Sequence, residues 1–384
     1  MPNIKVLVVG GGAGGGGSSY DHQACGGGGA GGYQYKPAFP VSYQQYSVTV
    51  GDGGNGGAGN EGDVGENSVF GTITAYGGGY GSNRGRAGGN GGCGGGGSTG
   101  SGGTGGTGNQ GGNGGNGGVP PINTGGGGGG ASANGYTGHN RGGDGGAGTL
   151  NNITGSDIYY AGGGGGGANY VSTYGQYGGG VGGVGGGGNG GASGRNGGNG
   201  TANTGGGGGG SSFLGASNYR TGGNGGSGVV ILRYATAHFG TNIFTGSPTV
   251  TTIGSDTIVK FTQSGTITFV EAINTPTVTT QAATNIATTS ITGNGNITAT
   301  GGANCTRRGF CYKVGTSGDP TTSDSVAYDD GSFGTGAFTK SITGLTAGTS
   351  YRVRAYAVNS AGTSYGTTVD VKTLSAFKPR TMWF

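Results

Sequence analysis

Three runs of six consecutive glycines constrain what this chain can fold into. They occur as NTGGGGGGAS (123–132), YYAGGGGGGANYVS (159–172) and NTGGGGGGSS (203–212). Glycine loses more conformational freedom on folding than any other residue, so such a run either stays disordered or adopts a structure that only glycine permits. Disordered linkers are featureless stretches of glycine and serine. The region around these runs is patterned, which favours an ordered structure over the alternative of a linker.

Strand-like segments bracket the glycine-rich region. IKVLVV (4–9) opens it and GVVILRY (228–234) closes it, and both are short β-branched runs bounded by glycine. We expect these two strands to pair. Two further segments, YSVTVGDGG (46–54) and NSVFGTITAYGGG (67–79), resemble the strands of a sandwich. The second is predicted as one strand with these residues on one face: Val69, Gly71, Ile73 and Ala75.

The glycine runs are then insertions on a β scaffold. Polyglycine can adopt the polyproline-II-type helix, with three residues per turn, about 3.1 Å of rise per residue and no internal hydrogen bonds. Its buried amides must therefore bond to neighbouring segments. We expect the six-glycine runs at the centre of a bundle, and mixed segments such as the one carrying Asn116 outside, with polar side chains in solvent. Collagen is excluded, because glycine does not recur strictly at every third position and proline is scarce.

Composition changes after Tyr234. Of the 384 residues, 113 are glycine, concentrated before that point, whereas the remainder is rich in Thr, Val and Ile. The change predicts at least two folding units. We assign a glycine-rich domain to 1–235, a β-hairpin connector to 236–275, a second domain to 276–374 and a tail to 375–384.

Charge and hydropathy exclude several classes of protein. The net charge is +4, and the basic residues are not clustered in the sequence. This charge is too low and too dispersed for a protein that binds nucleic acid electrostatically. No apolar run approaches ~18 residues, so no membrane insertion is expected. The start MPNIKVLVVGGG lacks a long apolar core and a small-residue cleavage site, so no general export route is expected.

The four cysteines are expected to be free thiols, as suits a reducing cytosol. Cys305 and Cys311 are expected on one strand about 20 Å apart, which is too far for a disulfide. Cys25 and Cys93 could pair, and the sequence leaves that alternative open.

Several glycine-rich segments together resemble a known family. VLVVGGGAGGGG, SVTVGDGGNGGAG, YYAGGGGGG and GGNGGSGVVILRY are similar to a glycine-rich domain family of phage tail fibres and bacterial surface proteins. More distantly, they resemble the glycine-rich domain of the anaplastic lymphoma kinase receptor. The resemblance covers about residues 4–234. It implies a TNF-like jelly roll that carries a bundle of polyglycine-II helices.

The second domain resembles a fibronectin type III sandwich. Its segment GLTAGTSYRVRAYAVNSAG (344–362) carries Leu345 and Tyr351 at the positions of the tyrosine-corner pair. The Tyr351 hydroxyl is expected to donate to nearby backbone. The residues expected inside are Val353, Ala355 and Ala357, and those expected outside are Arg352, Arg354 and Tyr356. The tryptophan of the family's second strand is missing, and NITAT (296–300) stands there instead.

The connector is predicted to form a hairpin, in which TIVKF (257–261) and TITFV (266–270) flank a TQSG turn. In relatives of the glycine-rich family a similar segment precedes the first strand, whereas here it follows the last. Two interpretations stay open. The hairpin completes the sheet of its own chain, which we favour, or it completes a neighbouring subunit's sheet.

No catalytic, cofactor or metal site is assigned. His22, His139 and His238 are isolated and have no metal-like neighbours. Asp144 fits the calcium nonapeptide poorly, 51–57 lacks the further acids of a calcium loop, and Asp329 and Asp330 are expected at a turn. Eight tyrosines are either contact residues on exposed loops or a cover for the flanks of the bundle: Tyr20, Tyr33, Tyr35, Tyr43, Tyr46, Tyr159, Tyr160 and Tyr170.

These observations favour a non-enzymatic virion structural or adhesion protein of a phage: a fibre, tail-tip or capsid-surface component. The alternative is a bacterial extracellular filament or matrix protein. The expected partners are further copies of this chain in a homo-oligomer, other virion or surface proteins, and a glycan or protein on the host surface. The expected location is the virion, or the cell surface in the alternative.

Overall fold

The computed structural model describes residues 1–19, 23–100, 103–119, 123–169, 178–213 and 219–377. The chain divides into two compact units, Met1–Val270 and Glu271–Phe384. In the described residues their regular structure is nearly all antiparallel β, with one short 3-10 helix at Thr236–His238. The β class predicted from the sequence is confirmed.

The first unit has twelve strands among its described residues. They are β1 (Asn3–Val9), β2 (Tyr33–Pro40), β3 (Gln45–Thr49), β4 (Ser68–Phe70), β5 (Ile73–Ala75), β6 (Thr149–Asn151), β7 (Ile158–Tyr160), β8 (Val229–Ala235), β9 (Ile243–Phe244), β10 (Thr249–Ile253), β11 (Asp256–Phe261) and β12 (Gly265–Thr268).

Ten of these strands form two five-stranded sheets. Their orders are β10-β11-β8-β1-β2 and β5-β4-β3-β12-β9, and β6 pairs with β7 separately. One hydrophobic cluster joins the two sheets: Val8, Leu232 and Phe261 come from the first, and Phe70 and Ile267 from the second. The sheets therefore pack face to face around a shared core.

The first sheet is buried on both faces at its centre. Strands β1 and β8 pair antiparallel from Lys5↔Arg233 to Val9↔Val229, which confirms the predicted pairing of the two bracketing segments. The residues of β1 and β8 that point away from the shared core belong to a second cluster, in which they pack against Ile153 and Tyr160. Burial on both faces explains why the sequences of these two strands contain continuous runs of apolar residues.

Two predictions about strands in this unit are wrong. The segment 67–79 is a hairpin, because Gly71 has a φ of +56° and turns the chain between β4 and β5. The segments 257–261 and 266–270 do not pair with each other. Strand β11 pairs with β8 in the first sheet, and β12 pairs with β3 in the second.

The chain therefore crosses between sheets at the TQSG turn, and the hairpin partner of β11 is β10. Residues 249–268 supply strands to the sheets of their own chain, which is the arrangement of self-completion. The edge of β1 is covered as well, because β2 pairs with it on the side away from β8.

The second unit has eight strands among its described residues. They are β13 (Thr277–Thr284), β14 (Ser290–Ala299), β15 (Cys305–Val314), β16 (Ser325–Phe333), β17 (Gly336–Thr343), β18 (Ser350–Asn359), β19 (Gly362–Tyr365) and β20 (Val369–Lys372).

These strands form a three-stranded sheet, β13-β14-β17, and a second sheet, β16-β15-β18-β19, in which β20 also pairs with β18. Leu345 and Tyr351 belong to their common core, as do Val353, Ala355 and Ala357. The inward set predicted for β18 is therefore confirmed.

Three details of this unit differ from expectation. The Tyr351 hydroxyl accepts a hydrogen bond from the Thr346 N–H at 2.8 Å rather than donating one to the backbone. Tyr356 faces away from the core but is only 1 % exposed. Asp329 and Asp330 lie within β16 rather than at a turn, where they form ion pairs with Lys340 and Arg307.

Candidate functional site

The three glycine runs form the interior of the first unit. All of the glycines at 125–130, 162–167 and 205–210 are buried, and they lie outside the strands. Their backbone groups bond to other glycine-rich segments rather than within each run. The expectation that these runs lie centrally is confirmed.

The run 162–167 shows how this interior is built. Its six N–H groups donate to three segments, and residues three apart reach the same segment. The bonds are Gly162 to Gly185, Gly165 to Gly188, Gly163 to Gly146, Gly166 to Gly143, Gly164 to Gly28 and Gly167 to Cys25. Contact with the same neighbour therefore recurs every three residues.

Its six carbonyl groups accept from three further segments with the same period. The donors are Gly207 and Gly210, Gly125 and Gly128, and Gly180 and Gly183. Every backbone polar group of the run is therefore paired, as burial demands. One run has six segments around it, which is the coordination of a closely packed bundle of parallel rods.

Glycine is required at these positions because the neighbouring segments leave no space for a side chain. A Cβ atom added at Gly164 would lie 2.1 Å from the carbonyl oxygen of Gly208, and one at Gly128 would lie 2.0 Å from that of Gly28. These neighbours are themselves backbone, so they cannot turn aside as a side chain can.

Asparagine completes the hydrogen bonding at the outside of the bundle. The Asn90 Oδ1 accepts from the Thr107 N–H at 2.7 Å, and the next amide, Gly91 N–H, donates to the Thr107 carbonyl at 3.2 Å. We call this arrangement an Asn–Gly clasp: Oδ1 of the asparagine and N–H of the following glycine hold an N–H and a carbonyl of one neighbouring segment.

Eight Asn–Gly pairs form such clasps. In four, one residue supplies both groups: Asn90 with Thr107, Asn134 with Asn113, Asn196 with Thr221, and Asn199 with Asn224. In the other four, the carbonyl lies two residues before the N–H; these pairs begin at Asn113, Asn116, Asn189 and Asn224. The sequence predicted that such side chains face solvent, and it missed that their oxygens bond to backbone.

The remaining candidate residues are not brought together. His139 and His238 are both exposed, and His22 lies outside the described residues. Asp144 pairs with Arg141 and accepts from the Val181 N–H at 2.7 Å, so it links segments of the bundle. Within the described ranges, no group of three or more His, Cys, Asp or Glu could hold a metal ion.

Six of the eight tyrosines lie in the described residues, and they differ in exposure. Tyr43 and Tyr159 are exposed, whereas Tyr160 is buried with only 2 % of its surface exposed. The half-buried ones pack against the cores: Tyr33, Tyr35 and Tyr46. Tyr20 and Tyr170 lie outside the described residues.

All four cysteines are buried free thiols. Burial raises the pKa of Cys25 from 9.0 to about 12, against a smaller opposing effect of its hydrogen bond with Ser211. Burial likewise raises the pKa of Cys93 to about 12. Both groups therefore stay protonated at neutral pH, which disfavours a nucleophilic role.

A cavity of about 170 Å³ opens beside the two sheets of the first unit, lined by Tyr234, Phe239 and Phe244 among others. The side-chain amide of Asn242 at this cavity forms hydrogen bonds within the protein. Asn242 donates to the Tyr234 hydroxyl at 2.9 Å and accepts from the Val270 N–H at 3.0 Å. The cavity is therefore a small, largely apolar depression.

The comparisons with known proteins support the glycine-rich assignment. The family model described as "Glycine-rich domain" matches residues 1–235, and the chain belongs to this family. A search of curated proteins gave no match. Among solved structures, the sensor domain of the anti-sigma factor RsgI4 from Pseudobacteroides cellulosolvens is similar at 15% identity, covering 27% of this chain and 100% of that one, with a TM-score of 0.21.

No helix in the described part of the chain is long and apolar enough to cross a bilayer.

Proposed function

We propose that this chain is a non-enzymatic structural or adhesion protein of a phage virion: a fibre, tail-tip or capsid-surface component. The supporting observation is a rigid interior of buried, fully hydrogen-bonded glycine segments beneath exposed aromatic side chains. Tyr43, Tyr76, Tyr136 and Tyr159 are each more than two-fifths exposed. Tyrosine on a rigid scaffold offers a large contact area at low entropic cost, as contact with a host glycan or protein would need.

We propose a finer description of both folds. The contacts that recur every three residues around 162–167 support polyglycine-II helices, and the two packed sheets support a jelly-roll scaffold for them. In the second unit, the paired Tyr351 hydroxyl beside buried Leu345 supports a fibronectin type III-like sandwich. Such rods and sandwiches suit an extended fibre or surface component.

We also propose that the chain forms homo-oligomers, because the two edges of the first sheet differ. The β2 edge carries Lys36, Pro37 and Pro40, which oppose pairing with another strand. The β10 edge, Thr249–Ile253, is uncharged and exposed along its whole length. An open edge of this kind accepts a further strand through main-chain hydrogen bonds, and a second copy of this chain would supply one.

The experiment that tests the function locates the protein on particles. Antibodies raised against the full chain would be used for immunogold electron microscopy of virions released by lysis and purified on a density gradient. Label at the tail or on the capsid surface is the expected result. Label confined to filaments on the cell surface would favour the alternative, a bacterial extracellular filament or matrix protein. Label on neither would refute both proposals.

A further inference from the structure

The first unit is unusually rich in a chemically unstable dipeptide. Nine Asn–Gly pairs occur in it, beginning at Asn55, Asn90, Asn113, Asn116, Asn134, Asn189, Asn196, Asn199 and Asn224. All nine asparagines are exposed, and none of them lies in a strand. Exposed Asn–Gly pairs outside regular structure are the sites at which asparagine most readily deamidates.

Deamidation joins two groups of the same pair. The glycine nitrogen loses its proton and attacks Cγ of the asparagine, a C–N bond forms, and ammonia leaves. The product is a five-membered succinimide. Water then opens this ring to aspartate or isoaspartate, so water is the only co-reactant and nothing is oxidised or reduced. Glycine favours the attack because it has no side chain to obstruct the ring.

The Asn–Gly clasp holds both reacting groups in other bonds. At Asn90, the glycine proton that must leave is bonded to the Thr107 carbonyl, and the side chain that must rotate is bonded to the Thr107 N–H. Eight of the nine pairs share this double restraint. A hydrogen bond to Oδ1 also polarises Cγ, which favours attack, but the polarised carbon is held in place by that same bond.

Asn55 is the exception. Its Nδ2 donates to Asp63 Oδ2 at 3.2 Å, and its Oδ1 accepts no hydrogen bond within the described residues. The N–H of Gly56 is still held, by Asn224 Oδ1 at 2.8 Å. The bond to Oδ1 is therefore missing at this pair, and its side chain is held only by the longer, exposed bond from Nδ2 to Asp63.

We propose that the eight clasped Asn–Gly pairs are latent deamidation sites, which the folded bundle protects and which react when a segment detaches. Asn55 reacts before them. In a protein that is not replaced after assembly, such conversion would accumulate as a record of bundle opening. Isoaspartate would add one atom to the backbone and break the three-residue period, so each conversion would weaken the bundle further.

The test measures conversion site by site in the intact chain. The protein is incubated at 37 °C in mildly alkaline buffer, digested, and analysed by mass spectrometry that separates aspartate from isoaspartate. Synthetic peptides around each pair serve as the unfolded reference. If each of two hydrogen bonds of ordinary net strength slows the reaction about fivefold, clasped pairs should convert about 25-fold more slowly than their peptides. Asn55 should convert faster than any clasped pair.

Two matched substitutions test the restraint itself. Thr107→Pro removes the N–H that holds Asn90, and proline suits the extended helix expected there. It should raise the conversion rate of Asn90 about fivefold and leave Asn189 and Asn199 unchanged, because their clasps hold other segments. Thr104→Pro is the control. Thr104 is also exposed and lies three residues earlier, and its carbonyl accepts from the Gly88 N–H. The residue before Gly88 is Ala87, which has no side-chain oxygen, and the Thr104 N–H has no partner among the described residues.

Three results would overturn the proposal. Clasped pairs in the intact chain could convert as fast as their peptides. Asn55 could convert more slowly than the clasped pairs. Asn90 could convert more slowly in Thr107→Pro, which would show that polarisation of Cγ outweighs restraint. If Thr107→Pro disrupts the whole bundle, all eight clasped pairs accelerate together. In that case the proposal is tested by the conversion rates of the clasped pairs in the unsubstituted chain, compared with those in the synthetic peptides.

Discussion

Replacing Gly164 by alanine should prevent the bundle from packing. The added Cβ atom would lie 2.1 Å from the carbonyl oxygen of Gly208 and 2.6 Å from its carbonyl carbon. Carbon atoms pack at about 3.5–4.0 Å, so the two segments must separate by about 1 Å or more. Both are buried among further segments, so the movement cannot stay local.

The separation breaks hydrogen bonds on both segments. Gly164 donates to Gly28 at 2.9 Å, Gly28 donates to Gly208 at 2.7 Å, and Gly128 donates to Gly164 at 2.8 Å. A buried polar group without a partner costs about 1–3 kcal/mol, so three lost bonds cost about 3–9 kcal/mol. Reduced freedom of the unfolded chain returns only about 0.4–1 kcal/mol. The net loss is a large part of the ~5–15 kcal/mol that stabilises a typical protein.

Thermal unfolding followed by circular dichroism or calorimetry measures the effect. The Tm of the first unit should fall by at least about 4 °C, or the unit should not fold. The matched control is Gly178→Ala, because a Cβ atom there meets no atom of the described residues within 4 Å. Its Tm should stay unchanged or rise slightly. A soluble Gly164→Ala protein with the Tm of the unsubstituted chain would refute the packing derived for these segments.

Three further predictions follow from other parts of the chain. Tyr351→Phe should lower the free energy of unfolding of the second unit by about 1–3 kcal/mol, measured by denaturant titration, because the Thr346 N–H loses its acceptor. Thr251→Lys should weaken self-association in analytical ultracentrifugation without lowering Tm, because a charge blocks pairing at the β10 edge. Burial raises the pKa of Cys25 and Cys93 from 9.0 to about 12. The stability of the first unit should therefore be present below pH 9 and fall between pH 9 and 12, and Cys93→Ala should reduce that slope.

Each of these predictions has an outcome that contradicts it. Unchanged unfolding of Tyr351→Phe would show that the Thr346 N–H finds another partner. Gln263→Lys places the same charge on an exposed turn away from the edge, and an equal loss of association in that variant would point to net charge as the cause. A free energy of unfolding of the first unit that stays constant from pH 9 to 12 would show that folding does not raise the pKa of the two thiols.

The sequence predicts correctly those strands whose local pattern and tertiary contacts favour the same structure. Strands β1 and β8 are β-branched runs bounded by glycine, and they pair as expected. Strand β2 was missed because YQYKPAFP contains two prolines, which oppose pairing in the middle of a sheet but are tolerated at an edge. At the TQSG turn, a hairpin and a crossing between sheets require the same alternation of apolar and polar residues and the same turn residues. The sequence therefore cannot distinguish the two arrangements. Ser264 shows the tertiary reason for the crossing: its Oγ accepts from the N–H of Val50, the residue that follows β3, at 3.0 Å.

The asparagines show why the bundle was predicted more coarsely than it is built. Hydropathy assigns Asn116 to the outside, and its side chain is exposed there. An outer segment lacks a neighbour on one side, so some of its N–H groups have no carbonyl of a further segment to reach. The Asn116 Oδ1 supplies that acceptor for Gly105 at 2.9 Å. Asparagine is suited to this because its amide repeats the chemistry of a peptide carbonyl at the end of one short arm. The spacing of three residues between Asn113 and Asn116 was the available signal, since in a helix with three residues per turn it returns both side chains to one face. The Oδ1 atom in that position occupies the place that the carbonyl of a further segment would take. The same asparagine therefore gives the outer N–H group its acceptor and prevents another glycine segment from adding to the bundle.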